Sequence, residues 1–228
     1  MLPTLLFYKK DEASYRLFLL FFVFAFLNTF LLVLPAIFAP FDIIDGNWNW
    51  SGKIFAIVGS ITFYFLFRDN FPENDFVSLK QKEGSFRFTL PAAILLITYG
   101  IASGYFFASP TGFSLEHLGF QLTFPGIDEE LAYRGVGLGL LVTTLTDKVK
   151  VGKLNLGHPA VWVVSMLFGF VHGLRFTGVI HMQWAHFGLT FIIGLVLAWM
   201  TLKSKSILVP IIAHNLYNFS LALTRMLK

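Results

Sequence analysis

Long apolar segments, separated by short polar ones, run along almost the whole chain. A helix needs about 20 apolar residues to cross the hydrocarbon core of a bilayer. The segments that approach this length are 17–39, 53–67, 87–108, 129–145, 159–175, 183–202 and 206–225. The pattern predicts an all-α fold, a polytopic bundle of seven transmembrane helices that encloses an intramembrane polar cavity.

The segment 109–128 departs from this pattern. It contains Pro110, Gly112, Pro125 and Gly126, residues typical of turns and helix interruptions. We therefore expect a loop or a re-entrant piece that leads into the fourth span. A partial eighth helix would also fit there.

Composition agrees with a membrane protein. The 228 residues are 56% hydrophobic and only 13% charged, and the mean hydropathy is +0.70, whereas a soluble domain has about 25% charged residues. Without a large hydrophilic segment we expect one domain over 1–228. The absence of cysteine excludes disulfides and thiolate chemistry. The net charge of +4 belongs to loops, so we expect no nucleic-acid partner.

Lysine and arginine are unevenly distributed between the two sides of this bundle, which predicts its orientation. One side carries twelve of them: Lys9, Lys10, Arg16, Arg68, Lys80, Lys82, Arg87, Lys148, Lys150, Lys153, Lys203 and Lys205. The other side carries Lys53, Arg175, Arg225 and Lys228. We therefore expect a cytoplasmic N-terminus and an external C-terminus.

Three ionisable residues open the fourth span: Glu129, Glu130 and Arg134. Each costs roughly 2.5–3.5 kcal/mol at the centre of a spanning helix, so such residues are rare and usually functional. Glu130 and Arg134 are four residues apart and can pair on one helix face. Glu129 is expected at the helix start, where the dipole favours an anion, with no nearby base to neutralise it. This predicts one structural glutamate and one suited to general-base chemistry.

Two later spans carry further polar residues at the same spacing. Phe168 and His172 are four residues apart, so the phenyl ring can support the imidazole, and His214 and Asn218 share a face in the last span. We expect these residues to line one cavity with Glu129. A carboxylate, two imidazoles and an amide suit the attack of water on a carbonyl and the binding of the resulting oxyanion.

Other chemistries use similar residues. Two histidines and a glutamate can bind zinc, although the compact His-Glu-x-x-His signature is absent. We expect no cofactor and keep zinc as the alternative. Buried Glu and His also serve as proton relays in transporters, but no second half of the chain resembles the first. We expect His181, His186 and Gln183 at the rim of the cavity.

The polar residues form three ordered motifs. They are Glu129-Glu130-x-x-x-Arg134 with its Tyr133-Arg134-Gly135 ending, Phe168-x-x-x-His172, and His214-x-x-x-Asn218. Together, on three hydrophobic helices within 129–218, they resemble the motifs of the CPBP family. This family contains CAAX proteases and bacteriocin-processing proteins, also called Abi proteins.

The resemblance implies an intramembrane endopeptidase of the glutamate type. By motif position Glu129 activates water with the help of His172, while His214 and Asn218 bind the oxyanion. Glu130, Arg134 and Phe168 shape the site.

The implied partners are the lipid bilayer and a peptide or protein substrate, lipid-modified or exported. The implied location is multi-pass, in a bacterial cell membrane. Non-catalytic immunity or regulatory proteins share these motifs and form the alternative. Oligomeric state stays open.

Overall fold

The structure is a computed structural model that describes residues 11–71, 74–146, 148–151 and 154–228. Lys9, Lys10 and Lys153, which contribute to the charge asymmetry above, lie outside the described residues.

The described chain forms a bundle of seven helices, which confirms the predicted all-α class. The first three helices are α1 (Glu12–Ile37), α2 (Trp50–Leu66) and α3 (Phe86–Phe106). The fourth is a continuous helix built from α4 (Leu115–Glu129), a π-helical segment (Glu130–Gly137) and α5 (Leu138–Thr144). The last three are α6 (Pro159–Gly173), α7 (Trp184–Ser204) and α8 (Leu208–Met226). Short 3-10 turns cover Ala39–Phe41 and Arg68–Asn70.

The expectation of a loop or re-entrant piece at 109–128 is wrong for most of that segment. Ser114 caps α4, and the helix continues through Pro125 into the fourth span. Glu129 therefore lies in the middle of a long helix, and the expected stabilisation by the dipole of a helix start does not apply to it.

An asparagine from another helix compensates for the interruption at Pro125. The amide N–H of Gly126 donates to Asn215 Oδ1 over 2.7 Å, and Asn215 Nδ2 donates to the carbonyl of Thr123 over 2.9 Å. A Cβ atom at Gly126 would lie 2.6 Å from Asn215 Oδ1, so only glycine allows this approach. Asn215 thus ties α8 to the helix that carries the acidic residues.

The π-helical segment follows immediately. The N–H of Leu138 bonds to the carbonyl of Tyr133, five residues earlier, where an α-helix would use the fourth. Such segments occur frequently at functional sites. Here the segment contains Glu130 and Arg134 and begins directly after Glu129.

Small residues let several helices approach closely. Cβ atoms at Gly100 and Gly104 of α3 would lie 2.6 and 2.7 Å from backbone carbonyls of α8. A Cβ at Gly169 of α6 would lie 3.0 Å from the Phe187 carbonyl of α7. Lipid tails are as apolar as the side chains, so the hydrophobic effect does not drive helices together inside a bilayer. Close van der Waals packing of this kind is a main contribution to their association instead.

The outer surface is apolar, as lipid contact requires. Phe26, Leu66 and Phe106 are each at least 70% exposed. Helices over Ser14–Ile37, Phe86–Phe106 and Trp184–Ser204 are long and apolar enough to cross a bilayer, while Trp50–Leu66 and Pro159–Gly173 are apolar but shorter. The chain is an integral membrane protein.

Two small antiparallel hairpins join the helices, and no pattern in the sequence predicts them. Lys150–Val151 pairs with Leu154–Asn155, and Leu174–Phe176 pairs with Ile180–Met182. Strands of two or three residues are too short for a detectable alternation. The second hairpin begins one residue after α6 ends.

The Asn215 bridge gives a stability prediction. Asn215→Ala leaves the Gly126 N–H and the Thr123 carbonyl without this partner, and an unsatisfied buried group costs about 1–3 kcal/mol. We expect a clear fall in the thermal midpoint of purified protein in detergent. Asn218→Ala, one turn away on the same helix, is the matched control and should change the midpoint much less. Equal midpoints for the two variants would contradict the bridge.

The orientation can be tested by labelling single cysteines in the cysteine-free chain. Gly112→Cys lies between α3 and α4, and Lys82→Cys lies between α2 and α3; both positions are exposed. We expect a membrane-impermeant maleimide to label position 112 from outside intact cells and position 82 only after permeabilisation. The reverse pattern would overturn the predicted topology.

Candidate active site

The polar residues of four helices meet around the side chain of Glu129. Its Oε2 atom lies 3.6 Å from His172 Nε2 of α6 and 3.8 Å from His214 Nε2 of α8. This oxygen is buried and has no hydrogen-bond partner among the described residues. The three atoms therefore converge on one point, at separations that a bridging water fits better than a direct hydrogen bond.

Glu130 lies on the opposite side of the same imidazole. Its Oε1 atom is 2.7 Å from His214 Nδ1 and 3.0 Å from Arg134 NH1, so the predicted ion pair is present. Arg134 NH2 also donates to the carbonyl of Gly194 on α7 over 3.3 Å. Glu130 and Arg134 are both fully buried. The two adjacent glutamates thus hold the two nitrogens of one histidine.

Phe168 forms the floor of this arrangement. Its ring centroid is 4.3 Å from that of His172 and 5.9 Å from that of His214, and the Arg134 guanidinium carbon lies 4.4 Å above it. The expected support of His172 by this ring is therefore present. Gly173 adds to it, since its lack of a side chain lets Phe187 of α7 approach the end of α6.

Hydrogen bonds define the protonated nitrogen of each histidine. His172 Nδ1 lies 2.8 Å from the carbonyl of Phe168, and a carbonyl can only accept, so Nδ1 carries the proton. His214 Nδ1 faces a carboxylate and donates in the same way. In the neutral ring His172 Nε2 then presents a lone pair toward Glu129 Oε2, and two acceptors side by side suit a molecule that supplies protons, as water does. His214 Nε2 faces the same oxygen and is an acceptor in the neutral ring and a donor in the doubly protonated ring.

Sequence reasoning missed the residues that neutralise Glu129. Lys53, expected in the loop charge of the outer side, instead lies in the first turn of α2 and is buried. Its Nζ atom is 2.8 Å from Glu129 Oε1 and 2.7 Å from Asp128 Oδ2. The expectation that Glu129 has no nearby base is therefore wrong. In the sequence, the signal for this pairing is the position of Lys53 as a single lysine at the start of an apolar segment.

The remaining candidates lie at the edge of this cluster. Asn218 is half-buried one turn beyond His214, and its side chain makes no hydrogen bond to the part of the chain that is described. The His186 ring of α7 lies 6.5 Å from that of His172, and Gln183 precedes α7 and accepts from Arg175 Nε at 3.4 Å. His181 lies in the exposed hairpin. His186 is thus the one of these rim residues that faces His172.

The cluster is closed on the side of Arg134 and open on the side of His172. The side chains of Glu130 and Arg134 are inaccessible, His214 is 5% exposed, Glu129 14% and His172 29%. Access therefore runs past His172, at the end of α6, where the second hairpin begins. A substrate bond entering there meets Glu129 and His172 first.

A metal ion is the other ligand that side chains of these types could bind. Two imidazoles and a carboxylate are common zinc ligands. However, no group of three or more such side chains among the described residues has the geometry to hold a metal ion. The arrangement brings one carboxylate and two imidazoles together.

Comparison with known proteins matches the part of the chain that carries most of this site to a family. Residues 111–220 match the family model described as type II CAAX prenyl endopeptidase Rce1-like. The match spans nearly half of the chain and contains all three motifs. No curated protein and no solved structure matches the chain significantly. Over these residues the chain is similar to the Rce1-like CAAX prenyl endopeptidases, which supports the resemblance of its motifs to those of the CPBP family.

Proposed function

We propose that the protein is an intramembrane endopeptidase in which Glu129 activates water to cleave a membrane-associated peptide. The observation that carries this proposal is the convergence of Glu129 Oε2, His172 Nε2 and His214 Nε2 in an otherwise apolar bundle. The match to the endopeptidase family supports the reaction class, peptide-bond hydrolysis.

In this mechanism a water molecule lies between Glu129 and His172. Glu129 Oε2 accepts one of its protons, while the lone pair of His172 Nε2 accepts a hydrogen bond from the other and orients the oxygen. The water oxygen forms a bond to the carbonyl carbon, whose oxygen becomes an oxyanion. The C–N bond then breaks as the proton held by Glu129 passes to the leaving amine, so that one water molecule is added across the bond.

His214 and Asn218 are the candidate donors to the oxyanion. His214 lies between the carboxylates of Glu130 and Glu129. A doubly protonated His214 directs Nε2–H into the site, and Asn218 offers an amide on the same helix face.

The substrate class follows from the family and from the surroundings. The matched family acts on prenylated CAAX tails, and an opening among exposed apolar side chains suits a lipid-modified peptide. The predicted outward orientation suits an exported or membrane-embedded peptide, in a bacterial cell membrane. A farnesylated CAAX-tailed peptide and its unmodified form, both internally quenched, separate the two possibilities.

The mechanism predicts that Glu129→Gln abolishes cleavage. The amide keeps the size of the side chain but cannot accept a proton from water, so we expect kcat to fall at least about 100-fold, as removal of a general base does. Cleavage of the two peptides by purified protein in liposomes measures this. Glu83→Gln, the identical change at an exposed position between α2 and α3, is the control and should retain activity.

Retained cleavage by Glu129→Gln, with an unchanged thermal midpoint, would refute the assignment of Glu129 as the base. Loss of activity together with loss of the folded protein would instead be resolved by Glu129→Asp, which keeps the carboxylate. We expect that variant to recover part of the activity.

Chelation distinguishes the water-only mechanism from a zinc-dependent one. We expect cleavage to persist after prolonged incubation with 1,10-phenanthroline, because the ammonium group of Lys53 lies beside Glu129 and no group of three or more suitable side chains among the described residues has the geometry to hold a metal ion. Metal analysis of the purified protein by mass spectrometry is the accompanying measurement. Inhibition that added zinc reverses, with stoichiometric zinc in the protein, would establish the metal mechanism instead.

A further inference from the structure

Lys53 lies outside the part of the chain that matches the family model, yet it contacts the central carboxylate directly. It belongs to the first turn of α2 and its side chain is only 9% exposed. The Nζ atom lies 2.8 Å from Glu129 Oε1 and 2.7 Å from Asp128 Oδ2. A lysine is almost never buried unless it is paired, and here both partners come from the acidic run of one helix.

This contact makes the two oxygens of Glu129 unequal. Oε1 is held by the ammonium group, whereas Oε2 has no hydrogen-bond partner among the described residues and faces His172 and His214. A carboxylate held at one oxygen has little freedom to rotate about its last bond. The ion pair with Lys53 therefore fixes the direction in which Oε2 points.

The backbone around Lys53 is itself anchored on two sides. Asn49 caps α2 and donates from Nδ2 to the carbonyl of Leu32 on α1 over 2.9 Å. Trp50 Nε1 donates to Glu116 Oε1 of α4 over 3.1 Å. The first turn of α2 is thus attached both to α1 and to the helix that carries Glu129.

Asp128 shares the lysine and completes the unit. It is buried, it contacts Lys53 through Oδ2, and the Asn28 side chain of α1 faces it. Without Asp128, the ammonium group would have Glu129 as its only carboxylate and would be drawn fully onto it. With Asp128 present, the ammonium lies between two carboxylates and touches Glu129 at one oxygen only.

We propose that Lys53 and Asp128 form a positioning pair that aims Glu129 Oε2 at the water-binding point and holds a cation beside the carboxylate. This inference rests on the proposed function, since it assigns a role within the same site. Lys53 acts through Glu129 and contacts neither water nor substrate. The pair adds α2 to the site, beyond the three motif-bearing helices.

Activity of Lys53→Met tests the positioning role. The thioether removes the cation but keeps the length and apolar stem, so Glu129 loses its fixed direction. A small misplacement of a reacting group costs about 100-fold in rate, and we expect kcat for the quenched peptide to fall by about that factor with little change in KM. Lys53→Arg should restore most of it. Lys80→Met, an identical change on the exposed surface, should have wild-type activity.

The pH dependence provides a readout that a merely structural role would not move. The groups that face Glu129 are Lys53, Asp128, His172 and His214, with Tyr133 nearby. Removing the one permanent cation among them makes the carboxylate hold a proton more tightly. We therefore expect the acid limb of the kcat profile to move to higher pH in Lys53→Met and to stay in place in Lys53→Arg.

A chemical readout does not depend on catalysis. Dicyclohexylcarbodiimide reacts with protonated carboxyl groups in apolar surroundings, and peptide mass spectrometry locates the adduct. We expect slow modification of Glu129 in the wild type and in Lys53→Arg, and modification at least several-fold faster in Lys53→Met. If Lys53→Met does not fold, Lys53→Gln removes the same positive charge, keeps a polar group beside both carboxylates and should show acceleration in the same direction.

The outcomes separate this inference from the proposed function. If Glu129→Gln is inactive while Lys53→Met keeps wild-type kcat, pH profile and carbodiimide reactivity, the positioning pair is refuted and the base assignment stands. If the wild type cleaves neither peptide but Lys53→Met still accelerates the modification of Glu129, the pair stands and the proposed function fails.

Discussion

Three carboxylates and two permanent cations lie inside a bundle whose other residues are largely apolar. Removing an ion from water costs several kcal/mol unless a partner compensates for it. Each charge here accordingly meets an opposite one from another helix or from the next turn: Glu130 meets Arg134, and Lys53 meets Asp128 and Glu129. Because Lys53 belongs to α2 and its two carboxylate partners belong to the fourth helix, this pairing favours the packing of these two helices side by side. That preference does not depend on the residues that face the lipid.

The same pairing directs the chemistry. Glu130 is occupied by Arg134 and by one nitrogen of His214, which leaves the other nitrogen of that ring directed at Glu129. Phe168 lies beneath both imidazoles, and its own backbone carbonyl fixes the proton on His172. The residues that stabilise the cluster, Glu130, Arg134 and Phe168, therefore also determine which atoms of His172, His214 and Glu129 stay available for reaction. As a result, Glu129 Oε2 is left without a hydrogen-bond partner among the described residues.

The sequence predicted the helices well because each span is a long apolar run with charge at its ends. It also singled out several of the residues that lie beside Glu129, among them Glu130, His172 and His214, whereas Asn218 lies at the edge of the cluster. It failed where a local signal competed with tertiary contacts. Pro125 and Gly126 indicate a break, yet Asn215, 89 positions further along, satisfies the freed backbone groups and the helix continues. Lys53 near the end of an apolar run looks like an interfacial anchor, and only the fold reveals its partners.

The π-helical segment has a consequence for how such chains are compared. A π segment contains one more residue than an α-helix with the same number of turns, so the residues before and after it are out of step with regular helical spacing. A chain that lacked one residue between Glu130 and Gly137 could keep every motif letter and the same hydrophobicity. Its acidic residues would nevertheless face a different neighbour than they do here. In this helix the number of residues, as well as their identity, determines which groups meet, and a one-residue gap in an alignment at this point would mark a change of chemistry.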